Sequence, residues 1–293
     1  MTTFLQQVLN GLTVGAVYSL VAVGYTLVYG VLRLMNFAHG SIYTLGAYLG
    51  YTALVLLHAP LWTSLIFAIV VTGIAGAAVE RIGYYPVRKA PVANQIVSVF
   101  GLAIVLDNLI MLVWGAQPRA LPRSEFLSRT FSVGSFKLSI MQIAIFGTAL
   151  LIMLLLSFLV YRTKPGLAMR ATALNAEASA LMGIRVERLR VQVFVLSAML
   201  AAIAGLMVGL YYHIITFNTG LGVVIKAFVI SILGGIGNVP GAILGGFLLA
   251  QVESLGGAYI STGYKDAFAY IVMILVLLFR PNGLLGQVRA ENV

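Results

Sequence analysis

Nine apolar stretches follow one another along this chain, at about 8–31, 41–57, 62–79, 94–114, 138–160, 190–212, 221–236, 240–257 and 264–279. At about 1.5 Å of rise per residue, helices of this length cross a hydrocarbon core of about 30 Å. Such a chain cannot cover itself with polar surface. Of its 293 residues 61% are hydrophobic and only 9% charged, against roughly 25% charged in an average soluble domain, and the mean hydropathy is +1.03. A spanning β-barrel would instead show segments of about 10 residues alternating in polarity, whereas Leu138 to Val160 is apolar on every face. The expected fold is therefore all-α: one polytopic transmembrane bundle over 1–293 with about eight or nine membrane segments. The short pieces, after Gly40 and on either side of Gly237, are open to being half-helices or re-entrant elements.

The 18 basic residues give a net charge of +10, but they lie in loops, where they set orientation rather than offer a nucleic-acid surface. Arg81, Arg88 and Lys89 share one short loop, and Arg162, Lys164, Arg170, Arg185, Arg188 and Arg190 another, two spans later. Both belong on the cytoplasmic side. Nine crossings then put the tail with Arg280 and Arg289 inside and the N-terminus outside. Loop 115–137 is the exception, holding Arg119, Arg123, Arg129 and Lys137 against Glu125 while facing outward. It reads as a longer solvated loop in which charge carries less topological weight, with a docking surface as the alternative. Cysteine is absent, which excludes disulfides and thiolate metal sites. Met1 to Gln7 lacks the positive n-region of a cleaved signal, so the first span is expected to be retained.

Polar residues inside apolar stretches are the candidate functional ones, because they are expensive in lipid. Asp107 costs about 2.5–3.5 kcal/mol on insertion scales, and with Asn108 and Gln95 it makes the most polar part of its span. Asn36, Phe37, His39 and Gly40 interrupt the pattern between the first two spans. A histidine there reads first as a hydrogen-bonded structural residue, and second as part of a non-helical wall along a translocation route. Lys226 and Glu253 are weaker cases, open to a mutual or inter-subunit ion pair. Gly237, Gly241 and Gly245 fall four apart, as do Gly46/Gly50 and Gly205/Gly209. That spacing reads mainly as close helix packing, with a subunit contact or path lining as the alternative. No catalytic constellation is present: His39, His58 and His213 lie in no hydrolase or metalloprotease motif, and no phosphate-binding loop occurs.

The longest inward polar insertion runs over about 161–189. Pro165 and Gly166 break the preceding helix, and Leu167 to Met182 read as a short helix closed by Gly183 at C′. A short surface helix held between two spans is a lever. Glu177-Ala178-Ser179, followed at the right spacing by Gly183, resembles the EAA-x-x-x-G loop with which ABC importer permeases dock their ATPases. Arg33-Leu-Met-Asn-Phe-Ala-His-Gly40, after a span containing Gly11-Leu-Thr-Val-Gly15 and Gly24-Tyr-Thr-Leu-Val-Tyr-Gly30, resembles the N-terminal signature of branched-chain amino acid permeases, specifically the H-type subunit of the leucine/isoleucine/valine importer. Ile232 to Gly246 and the ending Phe279 to Gly286 resemble it as well.

The resemblance implies a transport subunit of the bacterial inner membrane and no enzyme. It implies a second homologous permease, giving a heterodimer, with two cytoplasmic ATPases that carry the ATP and Mg, a periplasmic binding protein, and no cofactor on this chain. Arg170, Glu177, Ala178, Ser179 and Gly183 become the expected ATPase-coupling residues. Ser179 departs from the motif's alanine, a small-for-small change. The cargo alternatives are urea, short amides or other amino acids, since related permeases share Asn-x-Ala-His-Gly; Phe37 at the variable position favours branched-chain amino acids. An ion-coupled secondary transporter or channel is the rival of another class, and it leaves the EAA-like loop without a task.

Overall fold

Each of the nine apolar stretches is helical in the computed structural model, which describes residues 2–123, 125–133, 136–280 and 282–286. The helices are α1 (Thr2–Leu32), α2 (Ala38–Tyr51), α3 (Leu61–Val79), α4 (Val92–Trp114), the short α5 (Glu125–Ser128), α6 (Ile140–Arg162), α7 (Lys164–Leu174), α8 (Ala176–Leu181), α9 (Val186–Tyr212), α10 (Thr219–Gly234), α11 (Val239–Tyr259) and α12 (Lys265–Phe279). A π-helical turn at Thr52–Leu56 lengthens α2, and another at Glu80–Tyr84 lengthens α3. Among the described residues, seven helices are long and apolar enough to cross a membrane, and α10 is a shorter apolar one. The expected inside position of Arg289, and Pro281 of the C-terminal motif, lie outside the described residues.

Two small ribbons depart from a purely helical reading. β1 (Arg119–Ala120) pairs antiparallel with β4 (Ile214–Ile215), Arg119 opposite Ile215; β2 (Thr130–Val133) pairs with β3 (Phe136–Ser139), Thr130 opposite Ser139. They give loop 115–139 backbone partners of its own. Ser139 closes the second ribbon and opens α6 through a capping box with Gln142, satisfying two end groups that would otherwise be orphaned.

α1 and α9 are the most buried of the long helices, while α4, α6 and α12 keep most of their apolar surface on the outside, as lipid or another subunit allows. Small residues set the approach of the inner helices: Gly246 meets the backbone of Ser19, and Gly46 meets Ala202. Hydroxyls reinforce them, Ser19 Oγ donating to Ile243 O at 2.8 Å and Thr26 Oγ1 sharing a hydrogen with Ser231 Oγ at 2.7 Å. Bonds of this kind contribute about 0.6 kcal/mol each in a bilayer, so packing carries more of the assembly than they do.

Long-range contacts sort the loops onto two ends. One end joins Arg33 to Ala173 O, Arg88 to Glu187, and Asn238 to Leu285 O. The other joins Gln6 to Lys137 O, Ser254 to Gln7 O, and β1 to β4. Residues 6 and 285 therefore sit at opposite ends of the bundle.

α2 and α10 both begin inside the bundle. His39 Nε2 lies 3.1 Å from Val21 O, and Val21 is 11 residues, about 16 Å, before the end of α1. The chain therefore leaves α1 at Arg33 and climbs inward through non-helical residues 33–37 before α2 starts. From the other end, residues 216–218 lead down to α10, whose Gly220 meets Gly40 backbone to backbone, about 21 Å from the end of α10 at Gly234. Non-helical backbone at such depth persists only where protein surrounds it, and Leu34, Asn36 and Ala38 are buried. The half-helix reading thus applies to the starts of α2 and α10. Around Gly237 the chain makes a four-residue turn between α10 and α11 at the bundle's end.

Candidate functional site

The elbow of α7 and α8 projects from the end that carries most of the arginines. The single helix expected over Leu167 to Met182 is two, because Asn175 takes an extended conformation (φ −152°, ψ 110°) and its side chain accepts from Ala178 N at 3.0 Å. A side chain that caps a new helix competes with continuing the old one. Pro165 sits in the first turn of α7, where its missing N–H is harmless, and Thr163 caps that turn through Gly166 N. Gly183 ends α8 with φ +88°: its N–H reaches Ala180 O and that of Ile184 reaches Ser179 O, each at 3.0 Å, the two bonds of a Schellman motif.

Glu177 and Ala178 are exposed, whereas Ser179 is buried and donates to Asn175 O at 2.8 Å, a bond that alanine could not make. Arg170 is exposed, its guanidinium 5.5 Å from the centre of the Tyr161 ring. At the tip, Leu174, Leu181 and Met182 are 71%, 89% and 84% exposed. Three large apolar side chains so bare, on an elbow bordered by charge, form a surface that another protein would cover.

Arg33 ties this elbow to the interior. It adopts φ +55°, and its Nη2 donates to Ala173 O at 2.9 Å and Leu174 O at 3.3 Å, the last carbonyls of α7. Four residues later Phe37 meets Phe100 edge to face at 5.8 Å, and Ser41 Oγ donates to Ala103 O at 3.1 Å. Asp107 lies one turn on along α4, with its Oδ1 buried and unpaired. Asn36 is buried, with neither side-chain polar atom hydrogen-bonded. The structure thus sets Phe37 and Ser41 against the stretch of α4 that leads to Asp107, with Asn36 next to Phe37 in the chain, and Asn108 stands exposed, donating to Ile104 O.

Other candidates separate from that stretch. Gln95 donates to Ala90 O at 2.8 Å and holds the loop before α4. His39 is fully buried. Since Val21 O only accepts, Nε2 carries the hydrogen and Nδ1 accepts from Ser197 Oγ at 3.1 Å, so the ring staples α2 to α1 and α9. Replacing it with alanine leaves that hydroxyl unpaired in the core, and His39→Ala is expected to lose about 1–3 kcal/mol, read as a fall in unfolding temperature in detergent. Gly40 belongs to the contact with Gly220; Gly241 and Gly245 pack on Gly234 and Ile230, and Gly237 faces Gly30. All are contacts within this chain.

Lys226 and Glu253 pair with each other at 3.0 Å. Tyr18 completes the cluster, its hydroxyl donating to Glu253 Oε2 at 2.8 Å and accepting from Lys226 Nζ at 3.0 Å, and Asp266 Oδ1 lies 2.9 Å from the same ammonium. Neither Tyr18 nor Asp266 stands out in the sequence. One is a tyrosine in an apolar run and the other a charge at a helix start, and only their meeting with Lys226 distinguishes them. Arg33 carried a signal as the head of its motif, but its partner lies 140 residues away.

Residues 7–277 match the model of a family described as the permease component of branched-chain amino acid transport systems. The chain is 39% identical to the high-affinity branched-chain amino acid transport system permease protein BraD of Pseudomonas aeruginosa, covering 99% of this chain and 98% of that one. It is 37% identical to the corresponding protein LivH of Escherichia coli, with the same coverage, and 32% identical to a LivH of Methanocaldococcus jannaschii over 91% of this chain and 88% of that one. Among solved structures, an inward-facing metal-chelate-type ABC transporter shares the fold at TM-score 0.52 and 19% identity, over 94% of this chain and 87% of that one. PsaBC from Streptococcus pneumoniae does so at 0.52 and 14%, over 95% and 92%.

Proposed function

The chain belongs to the family of permease components of branched-chain amino acid transport systems, and from that premise we propose that it forms half of a translocation path for branched-chain, hydrophobic amino acids. It is a transport subunit of an ABC importer, and ATP hydrolysis belongs to separate subunits. One permease domain carries the path, with the elbow at about 161–189 as its coupling element. A second, homologous permease supplies the other half of the path. Two cytoplasmic ATPases, holding ATP and Mg, push on Arg170, Glu177, Ala178, Ser179 and Gly183, and a periplasmic binding protein delivers the cargo.

The observation that carries this reading is the elbow: an apolar, nearly uncovered tip tethered by Arg33 to the break before α2. A secondary transporter has no use for it. The arginine-rich end is the cytoplasmic one on the positive-inside rule, which puts the N-terminus outside. The α2/α4 seam with Asn36, Phe37, Asp107 and Asn108 faces the path and the partner permease; Gln95, His39 and the glycines hold the walls.

The deciding experiment is ATP hydrolysis by the complex reconstituted in liposomes, as binding protein is added empty, loaded with leucine or loaded with urea. Selective stimulation by the leucine-loaded form supports the cargo. Stimulation by the urea-loaded form alone replaces it, and failure of any ATPase to co-purify overturns the importer.

The same preparation tests the tether. Arg33→Ala removes two bonds from an exposed guanidinium, a loss of only about 1 kcal/mol in stability. It is nevertheless expected to lower leucine uptake per ATP hydrolysed by about fivefold or more, the lower edge of ordinary coupling energies, with basal hydrolysis retained. An unchanged ratio would make Arg33 merely a cap on α7.

A further inference from the structure

Away from the α2/α4 seam, two cavities of this chain lie side by side. The first, about 260 Å³, is walled mainly by apolar side chains, among them Val17, Val21, Ile145, Val208 and Val223. The second, about 510 Å³, is polar and holds Lys226, Lys265, Glu253 and Asp266. Both are lined by Val14, Tyr18, Tyr211 and Tyr212, so they share one wall and form an apolar compartment next to a charged one. Glu253 is 4% exposed and Asp266 largely open, so the charged compartment runs from the buried cluster toward the bundle's end at α12.

We infer that the two adjoining cavities together are a binding station for a single free hydrophobic amino acid, its alkyl side chain among Val17, Val21, Val208 and Val223 and its ammonium and carboxylate among Glu253, Asp266, Lys226 and Lys265. Two ammonium groups and two carboxylates leave the charged compartment with no formal net charge. That suits a zwitterion, which brings one charge of each sign, and penalises a lone cation or anion. Lys226 pairs with both Glu253 and Asp266 in the empty state, so the buried carboxylate is not left as an unpaired ion in a medium where that is costly. An incoming head group exchanges one set of ion pairs for another. The apolar compartment lies below the roughly 300–1,000 Å³ of sites for drug-sized ligands, which fits one small side chain. Tyr18 is the hinge of the recognition, because it lines both compartments and its hydroxyl already bonds to both Lys226 and Glu253.

This inference rests on the proposed cargo, and the test separates the two. The assembled complex, without binding protein, is titrated with radiolabelled leucine, and uptake is measured in the same vesicles with binding protein present. Val14→Phe and Val208→Phe fill the cavities from two different helices. Both are expected to weaken leucine binding at least tenfold and to raise the half-saturating concentration for uptake. Tyr18→Phe keeps the ring and removes only the hydroxyl; a several-fold loss is expected there, which guards against a filled variant that fails to fold. Leucine binding that is equal in the wild type and all three variants, or absent from the wild type while uptake proceeds, would overturn the station and leave the cargo standing. No uptake of any branched-chain amino acid by the wild type would overturn both.

Discussion

Gly183→Leu is expected to abolish ATP-driven uptake while the protein stays folded in the membrane. The residue ends α8 at φ +88°, a conformation that costs a side-chain-bearing residue about 1–2 kcal/mol. Around it there is open space: a β-carbon there would have no neighbour within 4 Å. The substitution therefore strains the Schellman turn without colliding with the bundle, and the strain falls on six residues whose only evident role is to hold Glu177, Ala178 and the bare Leu181 and Met182 in a fixed pose. Asparagine tolerates the left-handed region better than other residues, so Gly183→Asn should recover a substantial part of the uptake. The checks are membrane abundance, unfolding temperature and uptake for each variant. Loss of the leucine variant from the membrane would mean that the glycine serves folding alone.

Gly40→Leu should do the opposite, removing folded protein altogether. A β-carbon at Gly40 would fall inside the van der Waals envelope of Gly220 O, and one at Gly220 inside that of Gly40 O. Neither obstacle is a flexible side chain that can swing aside; each is the backbone of a helix that starts inside the bundle. Overpacking a core costs about 1–3 kcal/mol when side chains can move, and a backbone-to-backbone collision should exceed that range. The expected result is little protein extracted from membranes and, for what is extracted, an unfolding temperature far below the wild type. Normal yield with normal uptake would mean that α2 and α10 separate during the cycle and that their contact is not a fixed core.

Both glycines were visible in the sequence, but only one role was. Gly183 followed an alanine-rich helix at the spacing of a C′ residue, and local backbone chemistry is enough to read such a position. Gly40 looked like part of a break, and the residue it meets is 180 positions away. Asn175 was legible in principle, since an asparagine in the middle of a short helix can cap a new one, yet alanine and leucine on both sides outweighed it. Gln95 was grouped with Asp107 as a polar residue of one span; its depth decided otherwise, because near the start of α4 it can turn back to Ala90 O.

What the sequence alone determined is the solvent and the kind of element. Hydropathy is a sum over neighbouring residues, and nine windows of it are enough to place the chain in lipid and make it helical, since no other open structure satisfies its backbone there. Tertiary structure decided how deep each helix starts and which face it turns to its neighbours. Helices apolar on every face give no local cue to rotation or depth. Those follow from where small residues let backbones meet and where buried polar groups find partners, as Tyr18 finds Glu253 across 235 residues and Arg33 finds α7 across 140.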